Sequence, residues 1–284
     1  DRIYKDLTAG KTKNSAARRL KLLTGLPGSG KSSVARRMMA EDDSLVNVSV
    51  DDFYQYHPHM YELHQMQPVR LNDRHGSCYS DNMYLYDFVE EAFFEVTDRL
   101  KKEGYGIIID GLLNEEMIDF VKETQAQGYQ ADVTVLVAPK RILDCNVVER
   151  YLDRRDLINR AALGKVVLDK NQQVQHPMAE LRKSAAELVA FRRDLKNVEA
   201  QGLALTVHNA LSGRTLYRSG DARKADEAYF AEFGRDLTPQ ERVSLKVRQR
   251  NLEKRLTAAP SSRYEKAIVS SLDTPYKMPD IREL

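Results

Sequence analysis

Eight consecutive residues near the start of the sequence have the types and spacing of a phosphate-binding loop. They run from Gly25 to Ser32 in the form G-x-x-x-x-G-K-S. The glycines of such a loop let the backbone turn tightly and direct its N–H groups at phosphate oxygens. Lys31 would reach the β- and γ-phosphates, and the Ser32 hydroxyl would ligate Mg²⁺, so the segment predicts binding of ATP or GTP with Mg²⁺. The candidate nucleotide-binding residues are Gly25, Pro27, Gly28, Ser29, Gly30, Lys31, Ser32 and Ser33.

Two aspartates follow later apolar runs and supply candidate carboxylates. Asp110 ends the run that begins at Gly106, where phosphate-loop enzymes place a carboxylate that orients Mg²⁺ or its bound water. Asp51 directly follows the apolar run 45–50. Small-molecule kinases have at this position the aspartate that accepts the proton of the attacking hydroxyl. Asp110 could instead cap the following helix. Asp52 competes with Asp51, and strand alternation would point the two side chains apart.

Arginines are the third expected component, because guanidinium groups stabilise the charge of a phosphoryl group in transfer. Arg150 lies on the helix predicted after the fourth strand, and Arg160 lies in the segment that follows. Both are candidate catalytic residues. Arg154 and Arg155 are near enough to compete with them.

The elements that must position these residues alternate between strand and helix. Strands are predicted at 20–24, 45–50, 106–109, 133–137, 204–207 and 215–217, and the main helices at 33–39, 82–102, 115–126, 141–157 and 178–198. This order predicts an α/β fold, the three-layer, mostly parallel arrangement of phosphate-loop kinases. Ligands bind such sheets at the carboxyl ends of the strands, where the loop and both aspartates fall.

The sequence divides into three predicted parts. Residues 1–19 form an N-terminal extension, residues 20–220 the kinase-like domain, and residues 221–284 a helical C-terminal appendage. Predicted helices in the appendage cover 222–233, 238–256 and 262–271. The sequence Thr238-Pro239-Gln240-Glu241 is typical of a helix start, with an N-cap threonine and a capping-box glutamate.

Composition narrows the class of protein. The chain has 284 residues, 42% hydrophobic and 30% charged, and no apolar run approaches the roughly 20 residues that cross a bilayer. A net charge of +2 argues against nucleic acid as the main partner, although basic clusters occur at 11–21 and 242–255. Cys78 and Cys145 fit neither a metal site nor a disulfide framework, which indicates a reducing cytoplasm.

The ordered set of motifs resembles the zeta-toxin family of bacterial toxin–antitoxin systems. The resemblance covers about residues 20 to 218. Its carriers are the phosphate loop, Asp51-x-Phe53, Gln55-Tyr56-His57-Pro58, Tyr79-Ser80, Gly104-Tyr105, Ile109-Asp110-Gly111, Gly128-Tyr129, Pro139-Lys140 and Glu149-Arg150-Tyr151.

This resemblance implies a kinase that moves the ATP γ-phosphate to a sugar hydroxyl of a nucleotide, in known members a UDP-amino-sugar. Asp51 would be the general base, and Arg150 and Arg160 would clamp ATP. Glu91 would take a substrate-contacting position, with Glu90 or Phe94 as alternatives.

Two further candidates for substrate contact come from the segment after Asp51. His57 would line the acceptor site or order its loop, and Tyr79 would contact substrate beside Ser80, which could instead cap a helix. Asp110 is also a candidate for substrate contact.

The sequence departs from the family pattern after the third strand. The usual Glu-Gly-Thr-Gly-Arg is replaced by the segment Asp110-Gly111-Leu112-Leu113-Asn114, so the threonine and arginine that grip the UDP-sugar become Leu112 and Asn114. A related branch, which includes effectors delivered into host cells, phosphorylates a dinucleotide such as NAD. The resemblance thus leaves a UDP-sugar or an NAD-like substrate open. It also implies a bacterial cytoplasmic protein, or an effector delivered into a host cell, with a cognate antitoxin as partner.

Two other classes of function stay open at the level of sequence. The chain could be another phosphate-loop kinase, acting on a nucleoside, an antibiotic or a polynucleotide 5′-hydroxyl. It could also be a regulatory ATPase whose output is binding. A guanine-reading Asn-Lys-x-Asp segment is absent from the sequence, which favours ATP over GTP.

Overall fold

The computed structural model describes residues 1–13, 18–65, 83–168, 185–258, 263–272 and 274. A six-stranded sheet forms its centre. The strands are β1 (Arg19–Thr24), β2 (Leu45–Ser49), β3 (Gly106–Asp110), β4 (Gln130–Val137), β5 (Ala204–Asn209) and β6 (Thr215–Arg218). They lie in the order β2-β3-β1-β4-β5-β6. The first five are parallel and β6 is antiparallel to β5, which confirms the predicted α/β class with a mostly parallel sheet.

Helices surround this sheet. They are α1 (Arg2–Thr8), α2 (Lys31–Glu41), α3 (Val50–Phe53), α4 (Met60–Gln65), α5 (Met83–Glu103), α6 (Glu115–Ala126), α7 (Lys140–Ala162), α8 (Ala185–Ala200), α9 (Ala225–Gly234), α10 (Pro239–Ala258) and α11 (Arg263–Ser271), with a 3₁₀ turn at Tyr54–Tyr56. Helix α1 was not predicted, because its seven residues are too few to give a clear apolar period. Among the described residues, no helix has the length and apolar character needed to span a membrane.

The central strands are buried on both faces, as their continuous apolar runs require. All five residues of β3 are buried. Leu23 and Ile108 face α2 on one side of the sheet, whereas Leu22 and Ile109 join the larger core on the other side. Burial of both faces fixes the register of the strands, and with it the positions of the residues at their carboxyl ends.

The chain turns helical earlier than predicted after β2. The strand ends at Ser49, and α3 begins at Val50. The prediction that strand alternation separates Asp51 from Asp52 is therefore wrong. On a helical turn, consecutive side chains differ by about 100° in direction, so both carboxylates can face the same cleft.

The C-terminal helices contribute to the same hydrophobic core as the sheet. Helix α10 packs against α7 and α11. Leu245, Leu252 and Leu256 of α10 are buried in the cluster that also holds the strand residues. A domain boundary near residue 220 stays a prediction. From the shared core we expect these helices to unfold together with the sheet.

Leu252→Ala tests this packing. Leu252 is 1% exposed, and truncation of a buried leucine costs about 2–5 kcal/mol. We expect chemical denaturation to show one transition with a free energy of unfolding lowered by that amount. Val247→Ala, on the same helix but 53% exposed, should change it by no more than about 0.5 kcal/mol. A biphasic curve for Leu252→Ala, with an unchanged second phase, would contradict a shared core.

Candidate active site

A cleft of about 800 Å³ opens at the carboxyl ends of β1, β2 and β3. In the sheet register, Asp110 is opposite Leu23 of β1 and Ser49 of β2. The three strands therefore end at the same level, and the segments that follow them share one cleft. This is the edge at which parallel sheets bind ligands.

The phosphate loop connects β1 to α2 and depends on glycine for its path. Gly28 has φ +81°, and a Cβ at this position would lie 2.5 Å from the carbonyl oxygen of Leu143 in α7. A side chain is thus excluded both by backbone conformation and by the neighbouring helix. The N-terminus of α2 has no side-chain cap, which leaves its first N–H groups available to an anion.

Lys31 and Ser32 begin α2 at the base of the cleft. The Lys31 Nζ donates to the carbonyl oxygen of Gly25 at 3.0 Å. The Ser32 Oγ donates to Oδ2 of Asp110 at 2.8 Å, and Asp110 is 8% exposed. The helix after β3 is capped by Asn114, whose side chain accepts from the Met117 N–H at 2.9 Å. Asp110 is therefore not the helix cap that sequence alone left open.

The paired oxygens of Ser32 and Asp110 are a suitable donor set for Mg²⁺. Mg²⁺ prefers hard oxygen ligands and usually retains several waters, so one or two protein ligands with substrate phosphates suffice. No group of three or more His, Cys, Asp or Glu side chains within the described ranges could hold a metal alone. The residues thus fit a metal that arrives with a nucleotide better than a metal bound by protein alone.

Asp51 and Asp52 both line the same cleft as the phosphate loop. Asp52 is exposed at the mouth of the cleft, yet desolvation by the surrounding protein raises the pKa of its carboxyl, with the charges of Asp51 and Asp110 as further causes. A hydrogen bond with Ser49 acts in the opposite direction. Desolvation and the repulsion from its two neighbours therefore both disfavour the charged form of Asp52.

Asp52→Asn is therefore expected to stabilise the protein near neutral pH. A carboxyl with a raised pKa in the folded state destabilises that state as the pH rises through the unfolded pKa of about 3.9. The amide removes this penalty. Thermal unfolding should give a higher Tm for Asp52→Asn than for the wild type at pH 7, and equal values below about pH 3, where both states of the wild type hold the proton. A difference in Tm between Asp52→Asn and the wild type that is the same at both pH values would contradict the raised pKa of Asp52.

The structure separates the candidate arginines. Arg150 lines the cleft, whereas Arg160 does not and is exposed near the C-terminal end of α7, about 15 Å further along the axis. Arg155 is buried and contacts Glu265 of α11 at 3.4 Å, so it has a structural role. The prediction of Arg160 as a clamp for ATP finds no support in this placement.

Arg36 is a further cation that lines the cleft, and it belongs to none of the sequence motifs. Its Nε donates to the Ser32 carbonyl oxygen at 3.3 Å and its Nη2 to the Ser33 Oγ at 3.2 Å. Arg36 follows Ser32 by four residues, so both side chains lie on one face of α2. This spacing is the sequence signal from which Arg36 could be predicted.

Helix α5 and the segment after β3 line a further side of the cleft, which is the candidate acceptor side. Glu90, Phe93 and Phe94 face the cleft, whereas Glu91 does not. Glu91 was predicted to contact substrate. Glu90, the alternative one residue earlier, lines the cleft instead, because one residue rotates a helix by about 100°. Other residues on this side are Leu112, Asn114, Glu116 and Met117.

His57 and Tyr79 were the other predicted substrate contacts. His57 does not line the cleft: its ring packs edge-on against Phe88, and its Nδ1 accepts from the His59 N–H at 3.1 Å. Burial and the neighbouring His59 lower the pKa of His57. The loop-ordering role agrees with these contacts better than substrate binding does. Tyr79 lies outside the described residues.

The comparison with solved structures finds the same fold in a chain of a toxin–antitoxin system. A chain from the PezAT chromosomal toxin–antitoxin system of Streptococcus pneumoniae is 18% identical, with a TM-score of 0.68 over 90% of this chain and 93% of that one. A chain from the AvrRxo1-ORF1:-ORF2 complex is 12% identical, with a TM-score of 0.49 over 96% and 87% of the two chains. No curated protein matched in the sequence comparison.

The family comparison covers most of the cleft. The profile of the Zeta toxin family matches residues 5–202, a range that includes the phosphate loop, Asp51, Asp110 and Arg150. The match spans well over half of the sequence and includes every strand that ends at the cleft. The chain belongs to the zeta toxin family.

Proposed function

We propose that this protein is a Mg²⁺- and ATP-dependent kinase that phosphorylates a sugar or ribose hydroxyl of a nucleotide-type substrate, and that it acts as a toxin or effector. The observation that carries the proposal is the convergence of three parts in one cleft. These are the phosphate loop with Lys31, the Ser32–Asp110 pair, and the carboxylates of Asp51 and Asp52. Membership of the zeta toxin family supports a phosphate-loop kinase of the toxin type.

Each residue has a distinct task in this reaction. The loop N–H groups and Lys31 hold the phosphate oxygens, for which Lys31 must exchange its contact with the Gly25 carbonyl. Asp51 accepts the proton of the acceptor hydroxyl as its oxygen forms a bond to the γ-phosphorus and the bond to the β,γ-bridging oxygen breaks. Ser32 and Asp110 would hold Mg²⁺, which supplies neutralisation of phosphate charge. Arg150 and Arg36 lie where they can offset the remaining charge.

The acceptor side of the cleft supports a substrate other than the UDP-amino-sugar. Leu112 is 59% exposed and Phe94 37% exposed, and with Met117 they form an apolar wall. Asn114 is engaged as a helix cap. A site that lacks hydrogen-bonding groups for a sugar loses the selectivity that such groups provide. An apolar wall suits a planar ring, as in an NAD-like dinucleotide, so we favour the dinucleotide.

A panel of acceptors tests this proposal. The purified protein is incubated with Mg²⁺-ATP and, in separate reactions, NAD, UDP-sugars, nucleosides and short RNA, and products are analysed by mass spectrometry. We expect NAD to gain the mass of one phosphate. Phosphorylation of a UDP-sugar alone would retain the kinase and refute the dinucleotide. Phosphorylated RNA ends, or ATP hydrolysis that is independent of every acceptor, would refute the proposed function.

A protein partner follows from the toxin assignment. A kinase that damages its own cell requires an inhibitor, so we propose a cognate antitoxin and a site of action in the bacterial cytoplasm, or in a host cell if the protein is delivered as an effector. The PezAT neighbour is described as a toxin–antitoxin system, and its likeness to this chain concerns the fold.

A further inference from the structure

Side chains of α7 and α10 connect the C-terminal helices to the phosphate loop. Arg248 of α10 donates its Nη2 to Oδ1 of Asn146 in α7 at 2.5 Å. Asn146 in turn donates its Nδ2 to the carbonyl oxygen of Gly28 at 2.6 Å. Two hydrogen bonds thus join the loop to a helix that begins more than 200 residues later in the sequence.

The chemistry of the three groups determines how the Asn146 amide is oriented. A guanidinium has only donors, and a backbone carbonyl has only lone pairs to offer. The reverse orientation of the amide would place its NH₂ against the guanidinium and its oxygen against the carbonyl. Arg248 therefore selects the orientation in which Asn146 holds the loop.

Arg248 also neutralises an acid on the cleft wall. Its Nε and Nη2 donate to the two carboxylate oxygens of Glu149 at 2.7 and 2.6 Å. Glu149 and Asn146 both line the cleft. An unpaired carboxylate there would repel the phosphates of a bound nucleotide, so the bidentate pair removes an electrostatic penalty beside the nucleotide.

The loop rests directly on this part of α7. A Cβ on Gly28 would lie 2.5 Å from the Leu143 carbonyl oxygen and 3.1 Å from a methyl carbon of Val147. A shift of α7 between these residues would displace the loop as well. Since phosphate-loop amides bind only when they are already aimed at the oxygens, holding this contact preorganises the anion site.

We infer that Arg248 is a positioning residue for nucleotide binding: it orients Asn146 against the Gly28 carbonyl and cancels the charge of Glu149. The inference rests on the proposed function, in which this cleft binds ATP. It gives the C-terminal helix α10 a part in the nucleotide site without contact with the nucleotide.

Nucleotide affinity of matched variants tests the inference without knowledge of the acceptor. Binding of a fluorescent ATP analogue with Mg²⁺ is titrated at a temperature at which thermal unfolding shows every variant to be folded. Arg248→Met should bind about 10-fold more weakly, the effect of losing a charge-assisted hydrogen-bond network. Arg250→Met makes the same change at an exposed position of α10 and should bind within twofold of the wild type.

Two double variants separate the contributions. Because Arg248 acts through Asn146, the losses of affinity from the two substitutions should not add. The double variant Arg248→Met/Asn146→Ala should bind the ATP analogue no more than twofold more weakly than whichever single variant has the lower affinity. Adding Glu149→Gln to Arg248→Met should recover part of the lost affinity, because it removes the exposed charge. If Arg248→Met does not fold, Arg248→Lys and Asn146→Ala are tested in its place. We expect Asn146→Ala to lose as much nucleotide affinity as predicted for Arg248→Met, and Arg248→Lys to lose less.

The outcomes are distinguishable. Wild-type affinity in Arg248→Met, or additive losses in the Asn146 double variant, would overturn the inference and leave the proposed kinase intact. Failure of the wild-type protein to bind the ATP analogue would instead refute the proposed function, and the role of Arg248 with it.

Discussion

Asp51→Ala is expected to reduce phosphoryl transfer by about 10²–10⁴-fold, the range for loss of a general base, with ATP affinity within twofold of the wild type. The variant keeps the phosphate loop, Lys31 and the Ser32–Asp110 pair, which bind the nucleotide in our proposal. Turnover of the acceptor found in the substrate panel and titration of a fluorescent ATP analogue measure the two quantities separately.

Asp52→Ala is the matched control for this prediction. Both carboxylates line the same cleft on one helical turn, so the removal of either changes the local charge equally. Only the base should affect the chemical step by orders of magnitude. We assign the base to Asp51 because it holds the family position in Asp51-x-Phe53, and we expect Asp52→Ala to change kcat by less than about 10-fold. The reverse ranking of the two variants would transfer the role to Asp52, whose pKa is raised.

Lys31→Ala is expected to reduce transfer by about 10³-fold or more, the effect of removing a cation that stabilises a transferring phosphoryl group. The Lys31 Nζ contacts the Gly25 carbonyl oxygen within the loop itself, so the group is already held beside the position that phosphates would occupy. Steady-state kinetics should show a large fall in kcat together with a higher KM for ATP.

Arg36→Met provides the comparison for Lys31→Ala. Arg36 also lines the cleft with a positive charge, but it lies one turn further along α2 and contacts Ser32 and Ser33. A general loss of positive charge would make the two variants similar. We expect a fall of less than about 10-fold for Arg36→Met, and equal losses would argue against a specific role of Lys31 at the γ-phosphate.

The sheet and the phosphate loop could be predicted because their signals are local. Continuous apolar runs bounded by glycine or aspartate identify buried parallel strands, and all of the predicted strands correspond to observed ones. The glycines of the loop motif predict its backbone conformation, and the structure leaves no room for a side chain at Gly28. Asp110 could be placed because its strand ends level with β1 and β2.

The remainder of the site depends on facts that sequence spacing does not contain. Glu91 was preferred over Glu90 because a one-residue error of alignment is invisible in sequence, yet it rotates a side chain by about 100° on α5. Arg160 stays a prediction: the structure places it outside the cleft lining, and an exposed arginine resembles a site arginine in sequence. The contact of Arg248 with Asn146 joins positions 102 residues apart, and no local pattern predicts such a pair.

The place of β1 in the sheet has a consequence for how the protein is made. This strand lies between β3 and β4, which are synthesised about 80 to 110 residues later, and the loop after it rests on α7. Contacts between positions so distant in sequence form slowly. The loop sequence is therefore synthesised well before the strands and the helix that give the loop its native surroundings.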